Sequence, residues 1–124
     1  MEESSKTPVT IAVDLKRYCI RIHKNVFRMI GEPNNIEFLV NPIAKYVAIH
    51  AVSESAKGIQ LHRINKQRLK TCHSYEIYSK EFVTKLCMIV GGLDEGCGYW
   101  LKGKIVPEED MAVFFLKTLQ RIER

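Results

Sequence analysis

Apolar and polar positions alternate from Val9 to Leu15, with Ile11, Val13 and Leu15 on one face and Thr10, Ala12 and Asp14 on the other. A period of two marks a half-buried strand. At Lys16-Arg17 the phase changes, and Tyr18, Ile20 and Ile22 become the apolar set. A slip of one residue turns every side chain to the opposite face, so a bulge or tight turn is required between Asp14 and Arg17. Val26, Phe27, Met29 and Ile30 then follow at helical spacing, and Gly31 stands where a helix end favours a left-handed residue. Glu32-Pro33-Asn34-Asn35 reads as a turn. Beyond it, Ile36 to Val40 and Lys45 to Ile49 predict a hairpin whose loop begins at Asn41-Pro42.

The second half is less regular at first. From Val52 to Lys70 the only ordered element expected is a short edge strand around Ile59, Leu61 and Ile64. Tyr75 to Tyr78 then reads as a strand. Ser79 is an N-cap for a helix carrying Phe82, Leu86 and Ile89 or Val90, which Gly91-Gly92 ends. After a glycine-rich loop, Tyr99-Trp100-Leu101 opens a strand that Gly103 is expected to interrupt. Pro107-Glu108-Glu109-Asp110 suits either a helix start or a hairpin turn. The continuous apolar run from Met111 to Leu116 favours the turn, with a strand after it and a short helix or frayed tail from Thr118.

These elements predict an α+β, strand-rich single domain with two short helices over residues 9–124, behind a flexible tail at 1–8. Aligning Lys24 with Lys80 places Val26 against Phe82 and Ile30 against Leu86. Half-repeats at 9–52 and 72–118, joined by a basic segment at 53–71, are one reading; chance similarity between two amphipathic segments is the other. If the halves are copies, neither has enough strands to bury a sheet face alone, and they must share a core.

Composition changes this picture little. With 46% hydrophobic and 27% charged residues, the chain is an average soluble domain, which sets disorder aside. It holds no apolar run long enough to cross a membrane and its start does not resemble a signal peptide, so a cytoplasmic location with no membrane partner is expected. Cys19, Cys72, Cys87 and Cys97 form no Cys-x-x-Cys unit, so reduced thiols and no metal or other cofactor are expected.

Charge changes it more. The formal net charge is +5, and Lys57, Arg63, Lys66, Arg68 and Lys70 supply all of it within a stretch from Ser55 to Tyr75 that holds no acid. A field concentrated in this way attracts polyanions. The plain alternative is a solvated loop or a charged edge strand that resists aggregation.

No motif for catalysis is present. Cys72-His73 are neighbours whose side chains would diverge in a strand. His23 and His50 border strands and read as surface or hydrogen-bonded groups. The loop from Gly91 to Gly98 lacks the ending of a phosphate-binding loop and carries Asp94 and Glu95, which repel phosphate. Tyr75, Tyr78, Tyr99 and Trp100 could stack single-stranded bases on an open face, but core packing is the preferred reading.

Ile20-Arg21-Ile22-His23-Lys24, then Met29-Ile30-Gly31, then the hairpin from Ile36 to Ile49, follow a known outline. Over about a third of the chain this resembles the swapped-hairpin bacterial transcription regulators of the AbrB and MraZ type. In that family a strand ends in arginine-x-isoleucine-proline-lysine, and a short helix ending in leucine-glycine leads to a hairpin. Here His23 replaces the proline, and Glu32-Pro33-Asn34-Asn35 replaces the usual glycine-aspartate. The resemblance implies DNA binding by an intertwined or ring-like homo-oligomer, with Arg21, Lys24 and Arg28 as the matching basic residues.

The function expected is therefore non-enzymatic nucleic-acid binding by a small bacterial or mobile-element DNA-binding regulator, and the sequence identifies no small-molecule substrate. Arg21, Lys24 and Arg28 would position the backbone, and Lys57, Arg63, Lys66, Arg68 and Lys70 would add attraction independent of sequence. The alternative is a protein-interaction or structural module. A small enzyme using Cys72 or a histidine is the third reading.

Overall fold

The change of phase after Asp14 is absorbed by a tight turn. In the computed structural model, which describes residues 8–53 and 61–123, β1 (Pro8–Asp14) and β2 (Cys19–His23) pair antiparallel. The Asp14 carboxylate accepts hydrogen bonds from the N–H groups of Lys16 and Arg17 at 3.1 and 3.3 Å. Tyr18 closes the turn in a left-handed conformation, φ 54°. A short polar side chain bonding its own downstream backbone is a standard way to reverse a chain.

α1 (Lys24–Met29) follows β2 directly, with His23 as its N-cap, and Gly31 lies past its end at φ 99°. β3 (Asn35–Asn41) and β4 (Tyr46–Val52) form the expected hairpin. After it come β5 (His62–Arg63), α2 (Lys66–Thr71), β6 (Ser74–Tyr78), α3 (Lys80–Val90), β7 (Gly98–Val106) and β8 (Met111–Arg121). The Ser79 hydroxyl caps α3 by accepting from the Phe82 N–H at 3.2 Å.

Several expectations need correction. Among the described residues the α-helices number three, not two, because α2 forms within the basic segment read as irregular. The sheet dominates, so α+β describes the molecule only loosely. Gly103 does not interrupt β7, and β8 runs on to Arg121 where a helix or frayed tail was expected. Pro8, expected in the tail, begins β1. Residues 1–7, Ile59 and Lys57 lie outside the described residues.

The eight strands of the described residues join one antiparallel sheet in the order β5-β3-β4-β8-β7-β1-β2-β6, curled into a nearly closed barrel. Its inner face carries Ile11 and Val13 of β1, Ile20 and Ile22 of β2, Leu101 of β7 and Phe114 of β8, all buried. The helices supply the rest of the filling. α1 contributes Val26 and Phe27, and α3 contributes Phe82, Val83 and Leu86. Phe82 stacks on Phe38 of β3 with ring centroids 4.6 Å apart. Burial of this continuous apolar set is the main force holding the barrel.

Exchanging β1 with β5, β2 with β6, β3 with β7 and β4 with β8 carries each strand pair of the described residues onto another such pair or onto itself, except β1–β2, whose counterpart β5–β6 is not paired among the described residues. Two strand pairs, β2 with β6 and β4 with β8, each join a strand to its own counterpart. The hairpins match in register, since a shift of 65 residues carries the pair Val40–Val47 onto the pair Ile105–Ala112. The same shift carries Pro42 to Pro107, and left-handed Lys45 (φ 65°) to left-handed Asp110 (φ 53°). α2 breaks this correspondence. The tight turn from Leu15 to Tyr18 stands between β1 and β2, whereas a helix stands between β5 and β6.

Candidate nucleic-acid interface

α2 is a helix that its own sequence does little to favour. Lys66-Gln67-Arg68-Leu69-Lys70-Thr71 has no acid in its first turn and places a lysine at the positive end of the helix dipole. Six residues are also too few for a stable isolated helix. An N-cap and tertiary contacts hold it instead. The Asn65 side chain accepts from the Arg68 N–H at 3.0 Å, and the Tyr75 hydroxyl accepts from the Asn65 N–H at 2.8 Å. Leu69 alone is partly packed against the core, and no residue of the helix is fully buried.

A cap of this kind is worth about 1 kcal/mol. Asn65→Ala is therefore expected to speed amide exchange over residues 66–72 about five-fold, with little change in global stability. Hydrogen-exchange mass spectrometry tests this: a large fall in global stability would show that α2 supports the core.

Tyr75 joins α2 to α1. Its ring meets Phe27 of α1 edge-on at 5.4 Å, and the Arg68 guanidinium lies 5.7 Å from its centroid. The Lys66 ammonium donates to the Glu32 carbonyl oxygen just beyond α1, at 3.1 Å. At the other end the Lys24 N–H donates to the His73 carbonyl, and the His23 and His73 rings pack edge-on at 4.7 Å. Burial, then His73 and Lys24, pushes the His23 imidazole below its ordinary pKa, so it is neutral near pH 7.

α1, which carries Lys24 and Arg28 one helical turn apart, is thus tied to α2, which carries Lys66, Arg68 and Lys70, and the two helices together form a basic ridge. Arg63 stands on the adjoining edge strand β5, exposed and opposite Asn35. Among the described residues, none of these six cations is ion-paired to a carboxylate.

Arg21 lies elsewhere. It occupies the outer face of the sheet, with its Nε 3.3 Å from Glu76 Oε2. Tyr78 donates to the other Glu76 oxygen at 3.2 Å and accepts from Arg17 at 2.9 Å. The aromatic residues divide. Tyr75 and Tyr99 are buried as expected, whereas Tyr78 and Trp100 are 52% and 40% exposed. Strand parity carried that signal for Trp100, which alternates with inward-facing Tyr99 and Leu101.

The chemistry of the thiols is unpromising for catalysis. Burial raises the pKa of Cys19 and Cys87, and a hydrogen bond with Asp94 leads the rise at Cys97. Protonated thiols are poor nucleophiles. Cys72 is half-buried with its sulfur 3.9 Å from the Leu69 carbonyl. His50 is hydrogen-bonded to Glu37 at 2.8 Å across the β3–β4 pair. Among the described residues, no group of three or more His, Cys, Asp or Glu side chains is placed to hold a metal ion, and no helix is long and apolar enough to cross a membrane.

Comparison with known proteins adds no relative. No family model matches the chain, and no match was found among curated proteins or solved structures. The site is read from its geometry.

Proposed function

We propose that the protein is a non-enzymatic nucleic-acid-binding protein that holds a phosphate backbone along the α1–α2 ridge. One observation carries this reading. α1 and α2, tied together through Tyr75, His73 and Glu32, carry Lys24, Arg28, Lys66, Arg68 and Lys70 without a carboxylate partner among the described residues, and α2 packs only Leu69, in part, against the core. Cations with no carboxylate partner among the described residues, on a helix that packs only Leu69 against the core, are suited to an external polyanion. Arg63 widens the same field, and Arg21, held by Glu76, serves the sheet face beside it.

DNA is the polyanion we propose, in a small transcription regulator working as a cytoplasmic homo-oligomer. Support comes from the likeness of Ile20 to Ile49 to the swapped-hairpin regulators and from the twofold order of the sheet. The test is duplex binding across a salt series. Lys66→Gln is expected to lower the slope of log affinity against log salt by about one. An unchanged slope would remove Lys66 from the interface.

A second reading has one observation in its favour. Among the described residues, β6 ends the sheet with one strand neighbour and β5 at the other end spans two residues, which leaves a strand edge for a protein partner to extend. Binding of that kind is insensitive to salt, and a salt series separates the two.

A further inference from the structure

Arg21, Ala12 and Trp100 lie side by side on the outer face of three adjacent strands. Ala12 pairs with Arg21 on β2 and with Trp100 on β7. Neighbouring strands are about 4.8 Å apart, so the two large side chains rise from backbones about 10 Å apart. Ala12 offers only a methyl group between them. The result is a slot with an indole on one wall and a guanidinium on the other. It belongs to a cavity of about 450 Å³ that is also lined by Thr10, His23, Asn25 and Ser74. That volume lies within the range of about 300–1,000 Å³ usual for small-molecule sites.

We propose that this slot takes one unpaired base of a nucleic acid whose backbone lies on the α1–α2 ridge. The inference rests on the ridge reading above and names the form of the polyanion. An indole stacks on any base, and the planar face of an arginine offers the same service from the opposite wall. Glu76 holds the Arg21 guanidinium by its Nε, which limits its swing. At the rim, the Asn25 amide and the Ser74 and Thr10 hydroxyls can donate to and accept from a base edge. His23 accepts the Asn25 N–H at its Nδ1, so the neutral ring carries its proton on Nε2 as a further donor.

Position links the slot to the ridge. His23 and Asn25 flank Lys24 at the start of α1, and Ser74 follows His73, whose carbonyl accepts the Lys24 N–H. A strand running over the two helices therefore passes the mouth of the cavity. A paired base keeps both faces stacked on its neighbours, so a base that stacks on Trp100 must be out of the duplex. Single-stranded, looped or bulged nucleic acid should be preferred over a fully paired duplex.

Trp100 is the sole tryptophan of the chain, so its fluorescence reports the slot directly. Titration with a short oligothymidylate is expected to quench it saturably, whereas a fully paired duplex binds without quenching. Thymidine monophosphate, which lacks a backbone for the ridge, should require far higher concentrations. Trp100→Ala is expected to lower affinity for the oligothymidylate about ten-fold while leaving duplex affinity and salt slope unchanged, and Trp100→Phe should restore most of the loss. Salt-dependent duplex binding without any quenching by the single strand would overturn the slot and leave the ridge standing. Quenching that survives neutralisation of Lys66, Arg68 and Lys70 would overturn the link between slot and ridge. Equal quenching by mononucleotide and oligonucleotide would make the ligand a free nucleotide and overturn the proposal as stated.

Discussion

Gly103→Ala is expected to destabilise the protein by about 3–5 kcal/mol or to prevent folding. A Cβ at this position would fall on the Val113 carbonyl oxygen, 2.6 Å from the Val113 carbonyl carbon and 2.7 Å from the Phe114 Cα. These are backbone atoms of the neighbouring strand, with no rotamer through which to withdraw. Gly103 faces Val9 on β1 and Phe114 on β8, in the strand that joins the two parts of the sheet. Relief would require β7 and β8 to separate near a register shift that already lies between Trp100 and Lys102. Their separation would loosen Phe114 and Leu101, both fully buried. Urea unfolding of the variant is the check. An unchanged midpoint would mean that β7 and β8 do not approach one another in this register.

Replacing Lys66, Arg68 and Lys70 together with glutamine is expected to abolish most nucleic-acid binding while sparing the fold. Each phosphate neutralised contributes about 0.9 to the salt slope, so three losses lower it by about 3 and weaken binding about 10²–10³-fold at 0.1 M salt. No residue of α2 is fully buried, and glutamine is as good a helix former as lysine or arginine. Loss of Lys66 also removes a positive charge from the positive end of the helix dipole. The unfolding free energy from urea titration should therefore stay within about 0.5 kcal/mol of the parent. Full affinity in this variant would place the interface away from the ridge.

Much of the barrel is legible along the chain because local rules and tertiary structure agree there. The phase change at Lys16-Arg17 demands a turn, and Asp14 supplies its hydrogen bonds. Ser79 and Gly91 bracket α3 by ordinary capping chemistry. The Met111 to Leu116 run is a strand because it lies between β4 and β7 and is shielded by both.

What the chain hides are features made by distant partners. α2 has no apolar period, and the hydroxyl that anchors its start comes from Tyr75, ten residues beyond Asn65. β8 extends past Thr118 because Tyr99 and Trp100 pair with Arg121 and Gln120 across a bulge. Gly103 reads as a break until β8 is placed over it. The ridge itself depends on the pairing of β2 with β6, which brings His23 beside Ser74 and so α1 beside α2. Neither cluster of cations announces the other in sequence.

The most direct measurement is the affinity of the full chain for duplex DNA, followed by fluorescence anisotropy of a labelled duplex over a series of salt concentrations. Five ridge cations correspond to a slope of log affinity against log salt near −4 to −5. Such a slope, with binding that tightens steeply as salt falls, is the expected result. No binding at the lowest salt, or an affinity that salt leaves unchanged, would contradict a phosphate-binding ridge on α1 and α2.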